Sequence, residues 1–219
     1  DITGPLVKAF SKIFRMSVTE GALVQVAFYL GYFCMAFPAA LFIQRYSYKA
    51  GVLLGLSLYA VGAAMFIPAQ MAGFYYPFLA AYFIMTCGLS FLETSCNPYI
   101  YCMGPEESAT RRLNLAQAFN PIGALAGMYV AMHFVQERLH PLDTAERALL
   151  SPEEFEQIKS DDLWVLIQPY IYIAAVLVAI IILVRLLKMP KAGDTRSSKK
   201  LSTALGELVR IKNYREGVI

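Results

Sequence analysis

The sequence predicts an all-α protein, a polytopic bundle of membrane-crossing helices, on three observations. Of its 219 residues, 58% are hydrophobic and only 16% are charged, where a soluble domain carries about 25% charged residues. Mean hydropathy is +0.50. Charged side chains are absent from residues 50–92 and again from 94–105, and the first of these runs alone could cross a bilayer twice at about 20 residues per helix. The net charge of +3 carries meaning only once sorted by loop. Its basic residues form no aromatic-interleaved patch, so no nucleic-acid partner is expected.

Residues 1–14 are too short and too charged to span, and read as the outer end of a helix leading into a first loop. The first complete span is 18–43, entered through Thr19-Glu20-Gly21 and kinked by Pro38. Glu20 at that entry is expected to cap the helix start, where a carboxylate meets the positive end of the dipole. A short basic loop, 44–49, leads to a second span at 50–69, whose Gly51 and Gly55 permit close helix contact. An uncharged turn at 71–76 opens the third span, 77–101. The loop 104–112 leads to a fourth, 113–134, with a second glycine pair at Gly123 and Gly127. The long acidic loop 138–162 contains Ser151-Pro152-Glu153-Glu154, the signature of a capped, short surface helix. The fifth span is 163–187. A basic tail follows, a linker at 188–212 with an amphipathic run that suits a membrane surface, then 213–219 as the start of a further helix. The chain opens on Asp1 without a methionine and reads as a piece of something longer.

Sorting Lys and Arg by alternate loops places Arg45, Lys49, Arg111, Arg112 and the tail from Arg185 onward on one side, taken as cytoplasmic. The other side holds Lys8, Lys12, Arg15, Arg138, Arg147 and Lys159, diluted by acids. Cys34, Cys87, Cys96 and Cys102 lie in or beside apolar runs without metal-ligand spacing, and read as small packing residues. Tyrosines near the span ends, with Trp164, read as an interfacial aromatic belt. His133 reads as a satisfied packing residue rather than a proton relay.

Glu93 is the residue that demands an account. Counting back from Gly104-Pro105 puts it roughly 16 Å deep, near the middle of a ~30 Å hydrocarbon layer. A carboxylate there must face protein or water, pair with something, or hold a proton. It could be neutral glue between helices. Asn97 one turn on, and Pro98 breaking a backbone bond at that depth, instead suggest the wall of a polar cavity. Asp1, just before Gly4 and Pro5, suggests a second acid at an interrupted helix. Asn114, Gln117 and Asn120 recur at threes on the fourth span. Their amides can donate and accept, which suits a ligand with several hydroxyls. Tyr29 and Tyr32 lie deeper than the other tyrosines, and a ring there could stack on a sugar. With no nucleophile–base pair, phosphate loop or metal-ligand set, these groups favour passage over bond breaking, so neither an enzyme nor a bound cofactor is expected.

Several stretches resemble the fucose permease group of the major facilitator superfamily, in its amino-terminal half. They are Asp1-Ile2 with Pro5, residues 27–33, Ser47-Tyr48-Lys49-Ala50-Gly51, and Leu92-Glu93-Thr94 with Asn97-Pro98. Gly104-Pro105-Glu106, residues 112–117 with Phe119-Asn120, and Ser151-Pro152-Glu153 extend the likeness across nearly the whole chain. The loop between the first two complete spans departs from the superfamily's usual Gly, Asp-Arg and Gly-Arg-Lys pattern, with Ala40, Gln44-Arg45, Ser47 and Lys49 in those places.

The resemblance implies a twelve-helix fold of two six-helix halves with substrate held between them. This chain would then be the amino-terminal six-helix half, with 1–187 forming the end of helix 1 and helices 2–6, and the carboxy-terminal half as its partner. It implies a multi-pass protein of a bacterial inner membrane that carries protons with a monosaccharide, L-fucose first. Glucose, galactose and N-acetylglucosamine porters share much of the pattern, and a sugar sensor that does not transport is the alternative of another class. In the implied site, Glu93 and Asp1 couple protons, Asp1 also recognises sugar, and Gln117 and Asn120 line the same cavity; Asn97 and Tyr29 join the sugar-binding candidates on the residue reading alone.

Overall fold

A computed structural model of the chain describes residues 3–189, and all regular structure in them is helical. Asp1, the linker and the expected helix start at 213–219 lie outside the described residues. The helices are α1 (Thr3–Ile13), α2 (Val18–Gly21), α3 (Leu23–Arg45), α4 (Tyr48–Ala64), α5 (Phe66–Ala72), α6 (Tyr75–Cys102), α7 (Ala109–Gln117), α8 (Phe119–Val130), α9 (Thr144–Arg147) and α10 (Pro152–Leu186). Five helical stretches are long and apolar enough to cross a membrane: Thr19–Arg45, Tyr48–Ala72, Tyr75–Cys102, Glu106–Arg138 and Pro152–Leu186. They follow the expected order.

Local chemistry sets the boundaries. Glu20 closes a cap with Ser17, whose backbone N–H and hydroxyl both donate to Oε2 at 2.9 Å. Ser47 caps α4, its hydroxyl accepting from the Ala50 amide at 3.1 Å. Gly73, at φ +67°, ends α5 in the left-handed conformation that glycine adopts without a Cβ clash. The turn to α6 is therefore shorter than expected. The surface helix expected near Ser151 is corrected as well. Ser151 and Glu154 do form a capping box, but the helix they start runs unbroken for 35 residues into the fifth span. A polar stretch changes what a helix faces without ending it.

The bundle centres on α6. It packs antiparallel to α4 so closely that a Cβ on Gly88 would lie 2.6 Å from the Gly55 carbonyl oxygen. Gly51 meets Ser95 and Gly62 meets Met85 along the same seam, so the small-residue reading of Gly51 and Gly55 finds its contact here. Gly123 meets nothing within 4 Å. Near one end, Phe10, Phe66, Phe78 and Tyr170 form an aromatic core, with the Phe66 and Tyr170 rings stacked at 3.9 Å. Tyr75 and Tyr170 thus leave the expected interfacial belt for the interior, and the Tyr75 hydroxyl donates to the Glu20 and Gly21 carbonyls at 3.2 Å. Cys87 is buried, whereas Cys34 and Cys102 are exposed on this chain and do not pack as expected. His133 is satisfied as expected, with Nδ1 2.7 Å from Glu137 Oε1 and its ring 4.4 Å from that of Tyr129, although it is partly exposed.

Basic side chains tie the helix ends together. At the end holding the loop between α3 and α4, Lys49 Nζ donates to the Arg185 and Leu187 carbonyls, at 3.1 and 2.6 Å, capping α10. The Arg112 guanidinium donates to the Ile100 and Tyr101 carbonyls of α6, at 3.3 and 2.9 Å, and to Pro105 and Ser108. The carbonyls of Ile100, Tyr101 and Arg185 belong to last turns of helices, where intrahelical donors run out. At the opposite end, Arg147 is fully buried and paired with Asp162.

Candidate functional site

Three spans meet at one polar cluster. α6 contributes Glu93 and Asn97, one turn apart and therefore on one face. Pro98 follows inside the same helix, and its missing N–H leaves the Thr94 carbonyl without its usual helical donor. The hydroxyls of Thr86, Thr94 and Ser95 donate back to carbonyls four residues earlier, at 2.6 to 2.8 Å, and so are satisfied within their own helix. That leaves the carboxylate and the amides as the groups turned outward.

Two sets of bonds organise them. The Tyr32 hydroxyl on α3 donates to Glu93 Oε1 at 3.0 Å. Gln117 Nε2, from the last residue of α7, donates to Asn97 Oδ1 at 2.9 Å, and Asn120 Nδ2 donates to Gln117 Oε1. The fourth span passes from α7 to α8 here through Ala118, whose backbone stays helical and whose amide keeps the ordinary bond to the Asn114 carbonyl at 3.0 Å. Pro121 cannot donate to the Gln117 carbonyl, so the two amide side chains lie beside a backbone carbonyl that lacks its usual helical donor.

Glu93 is exposed on this chain, as is Asn120, while Asn97, Gln117 and Tyr32 are half-buried. The cluster lies on an open face rather than in an enclosed chamber. Among the described residues no cation forms an ion pair with Glu93.

The structure brings together Glu93, Asn97, Gln117 and Asn120 of the expected site residues. Asp1 lies outside the described residues. Tyr29 stands apart: it is exposed and lines a shallow recess on α3 with Gln25, Val26 and Phe33. Tyr32, one turn further along the same helix, is the tyrosine that reaches the acid. Both rings share the same signal in the sequence, and only the packing separates them. Phe28 meets the Tyr32 ring at 5.1 Å, and Gly31 beside it faces Thr86 and the Phe83 carbonyl of α6. That crossing at Gly31 is a matter of tertiary packing.

A second cavity, about 600 Å³, lies elsewhere, between α1, α8 and α10, lined by Leu6, Tyr82, Gly127, Val130, Tyr170 and Val176 among others. Its walls are predominantly apolar and include none of the expected site residues. A polyhydroxylated ligand there would lose hydrogen bonds to water without regaining them.

The sequence matches the Major Facilitator Superfamily family model over residues 1–215. The chain belongs to that superfamily. It is a multi-pass membrane protein. It is 46% identical, over its whole length, to the L-fucose-proton symporter of Haemophilus influenzae, covering 53% of that relative. It is 35% identical to the L-fucose-proton symporter of Escherichia coli, over 98% of this chain and 50% of that one. A glucose/galactose transporter of Brucella abortus is 38% identical over 54% of this chain. The crystal structure of the superfamily transporter FucP in the outward conformation superposes with a TM-score of 0.86 at 34% identity, over 98% of this chain and 53% of that one. The fold fits the amino-terminal half of that transporter. The chain spans about half the length of the curated relatives it matches.

Proposed function

We propose that this chain is half of a proton-coupled monosaccharide symporter of a bacterial inner membrane, with L-fucose as the first candidate sugar. The observation that carries the reading is the cluster on the open face, a carboxylate that pairs with no cation among the described residues, beside a hydrogen-bonded row of amides. The likeness to two L-fucose-proton symporters supports it. In this reading Glu93 takes a proton from outside, which removes the cost of carrying a charge through an occluded state. Asn97, Gln117 and Asn120 exchange bonds with sugar hydroxyls, and Asp1 adds a second acid on helix 1. The carboxy-terminal half supplies the facing wall. Release of proton and sugar inside resets the cycle.

The test is uptake by the full-length protein in proteoliposomes under an imposed pH gradient, across L-fucose, glucose, galactose and N-acetylglucosamine. Glu93→Gln should abolish proton-driven accumulation and preserve counterflow of preloaded sugar. Accumulation that survives the change intact overturns the reading. A glucose or galactose porter is the second reading, favoured by the partial match to the Brucella transporter, and the same panel decides between them.

A further inference from the structure

We propose that Tyr32 is the positioning residue for Glu93, holding the carboxylate on the open face and setting how readily it exchanges its proton. This inference rests on the symporter reading above. The phenol donates to Glu93 Oε1 at 3.0 Å. Its ring is fixed by Phe28 at 5.1 Å, and the α3–α6 crossing at Gly31 holds the two helices at a constant spacing, since a Cβ there would lie 3.1 Å from the Phe83 carbonyl oxygen. The donor is therefore rigid while the acid it serves is exposed.

The chemistry shows why a phenol suits this place better than a cation. A donor to the ionised carboxylate favours the charged form. A lysine or arginine at the same distance would lock that form. A hydroxyl both donates and accepts, so it can remain bonded to the acid whether or not the acid carries a proton. The titratable groups around the pair leave that role to Tyr32. Tyr59 from α4 and Tyr82 from α6 are the other phenols near it. Cys96 lies three residues from Glu93 on its own helix, α7 and α8 present the neutral amides of Gln117 and Asn120, and among the described residues no cation pairs with the acid.

The experiment measures proton-driven uptake and counterflow by the full-length protein as a function of external pH. Tyr32→Phe should move the midpoint of the uptake profile by about one pH unit, the scale of one hydrogen bond to a charged group, and leave counterflow at its original rate. Glu93→Asp, which withdraws the carboxylate by one methylene, should shift the profile in the same direction. Adding Tyr32→Phe to Glu93→Asp should then change nothing more, because the bond is already lost. If Tyr32→Phe does not fold, an unshifted Glu93→Asp profile overturns the proposal by itself. A Tyr32→Phe profile that superposes on the wild type, or shifts that add in the double variant, overturns it too while leaving the symporter reading standing. Failure of that reading has a different signature, accumulation by Glu93→Gln.

Discussion

Arg147 and Asp162 form an ion pair with Nη2 2.5 Å from Oδ2, and the side chains are 0% and 3% exposed. Arg147 also donates to the Leu142, Lys12 and His140 carbonyls, and Asp162 accepts from the His140 amide at 2.7 Å. One guanidinium thereby joins the last turn of α1, the loop before α9 and a point about three turns into the long α10. Such a pair contributes little net stability, because both charges had to leave water.

Breaking it from one side should be costly. Arg147→Ala leaves Asp162 buried without a partner and should destabilise the protein by about 3–5 kcal/mol. Replacing both residues with apolar ones of similar volume should recover most of that loss. Thermal unfolding of the detergent-purified full-length protein checks the comparison, and equal losses in the single and double variants would contradict it.

The clasp was invisible in the sequence for a physical reason. Arg147 and Asp162 are 15 residues apart in a charged loop, where either side chain would ordinarily be solvated. Sorted by loop, Arg147 falls among the outer cations, yet it is fully buried. The spans were legible because a water-soluble fold seldom keeps about 20 consecutive residues free of charge, whereas a bilayer demands it. Glu20 was legible because a cap is local. Glu93, Asn97, Gln117 and Asn120 were legible as candidates because polar groups at depth are expensive. Choosing Tyr32 over Tyr29 needed the helix crossing at Gly31, a tertiary fact.

The α4–α6 seam predicts a sharp contrast between glycines. Gly88→Ala places a methyl 2.6 Å from the Gly55 carbonyl oxygen and 2.5 Å from the Tyr59 amide nitrogen. Those are backbone atoms and can move only by parting the helices. Expression of folded protein and its melting temperature should both fall, as also for Gly55→Leu. Gly123→Ala meets nothing within 4 Å beyond its own helix among the described residues, so its melting temperature should hold or rise slightly, since alanine favours a helix over glycine by about 1 kcal/mol.

Arg112 predicts a failure of conservative substitution. Its planar fork reaches four oxygens, the carbonyls of Ile100, Tyr101 and Pro105 and the Ser108 hydroxyl. A lysine ammonium cannot reproduce that geometry. Arg112→Lys should melt nearly as low as Arg112→Ala. Gly104→Ala should share the defect. Its φ of +152° is unfavourable for any side chain, and a Cβ would lie 3.2 Å from the guanidinium.

Gln117 is the middle of the amide row, and that position separates binding from folding. Its Nε2 is committed to Asn97 and its Oε1 to Asn120, so on the symporter reading a sugar must displace or extend these bonds. Gln117→Ala removes an amide that would itself donate to and accept from sugar hydroxyls. At about 1 kcal/mol for each neutral hydrogen bond to sugar that is lost, the half-saturating sugar concentration should rise on the order of fivefold to thirtyfold, with the pH profile unmoved because no charge is altered. Asn97→Ala should give a smaller rise, since it ends the row. In the combined variant the two effects should sum to less than their separate values, as residues sharing one bond require. Equal and fully additive effects would mean that the amides contact sugar independently, and that their bonds to one another are incidental.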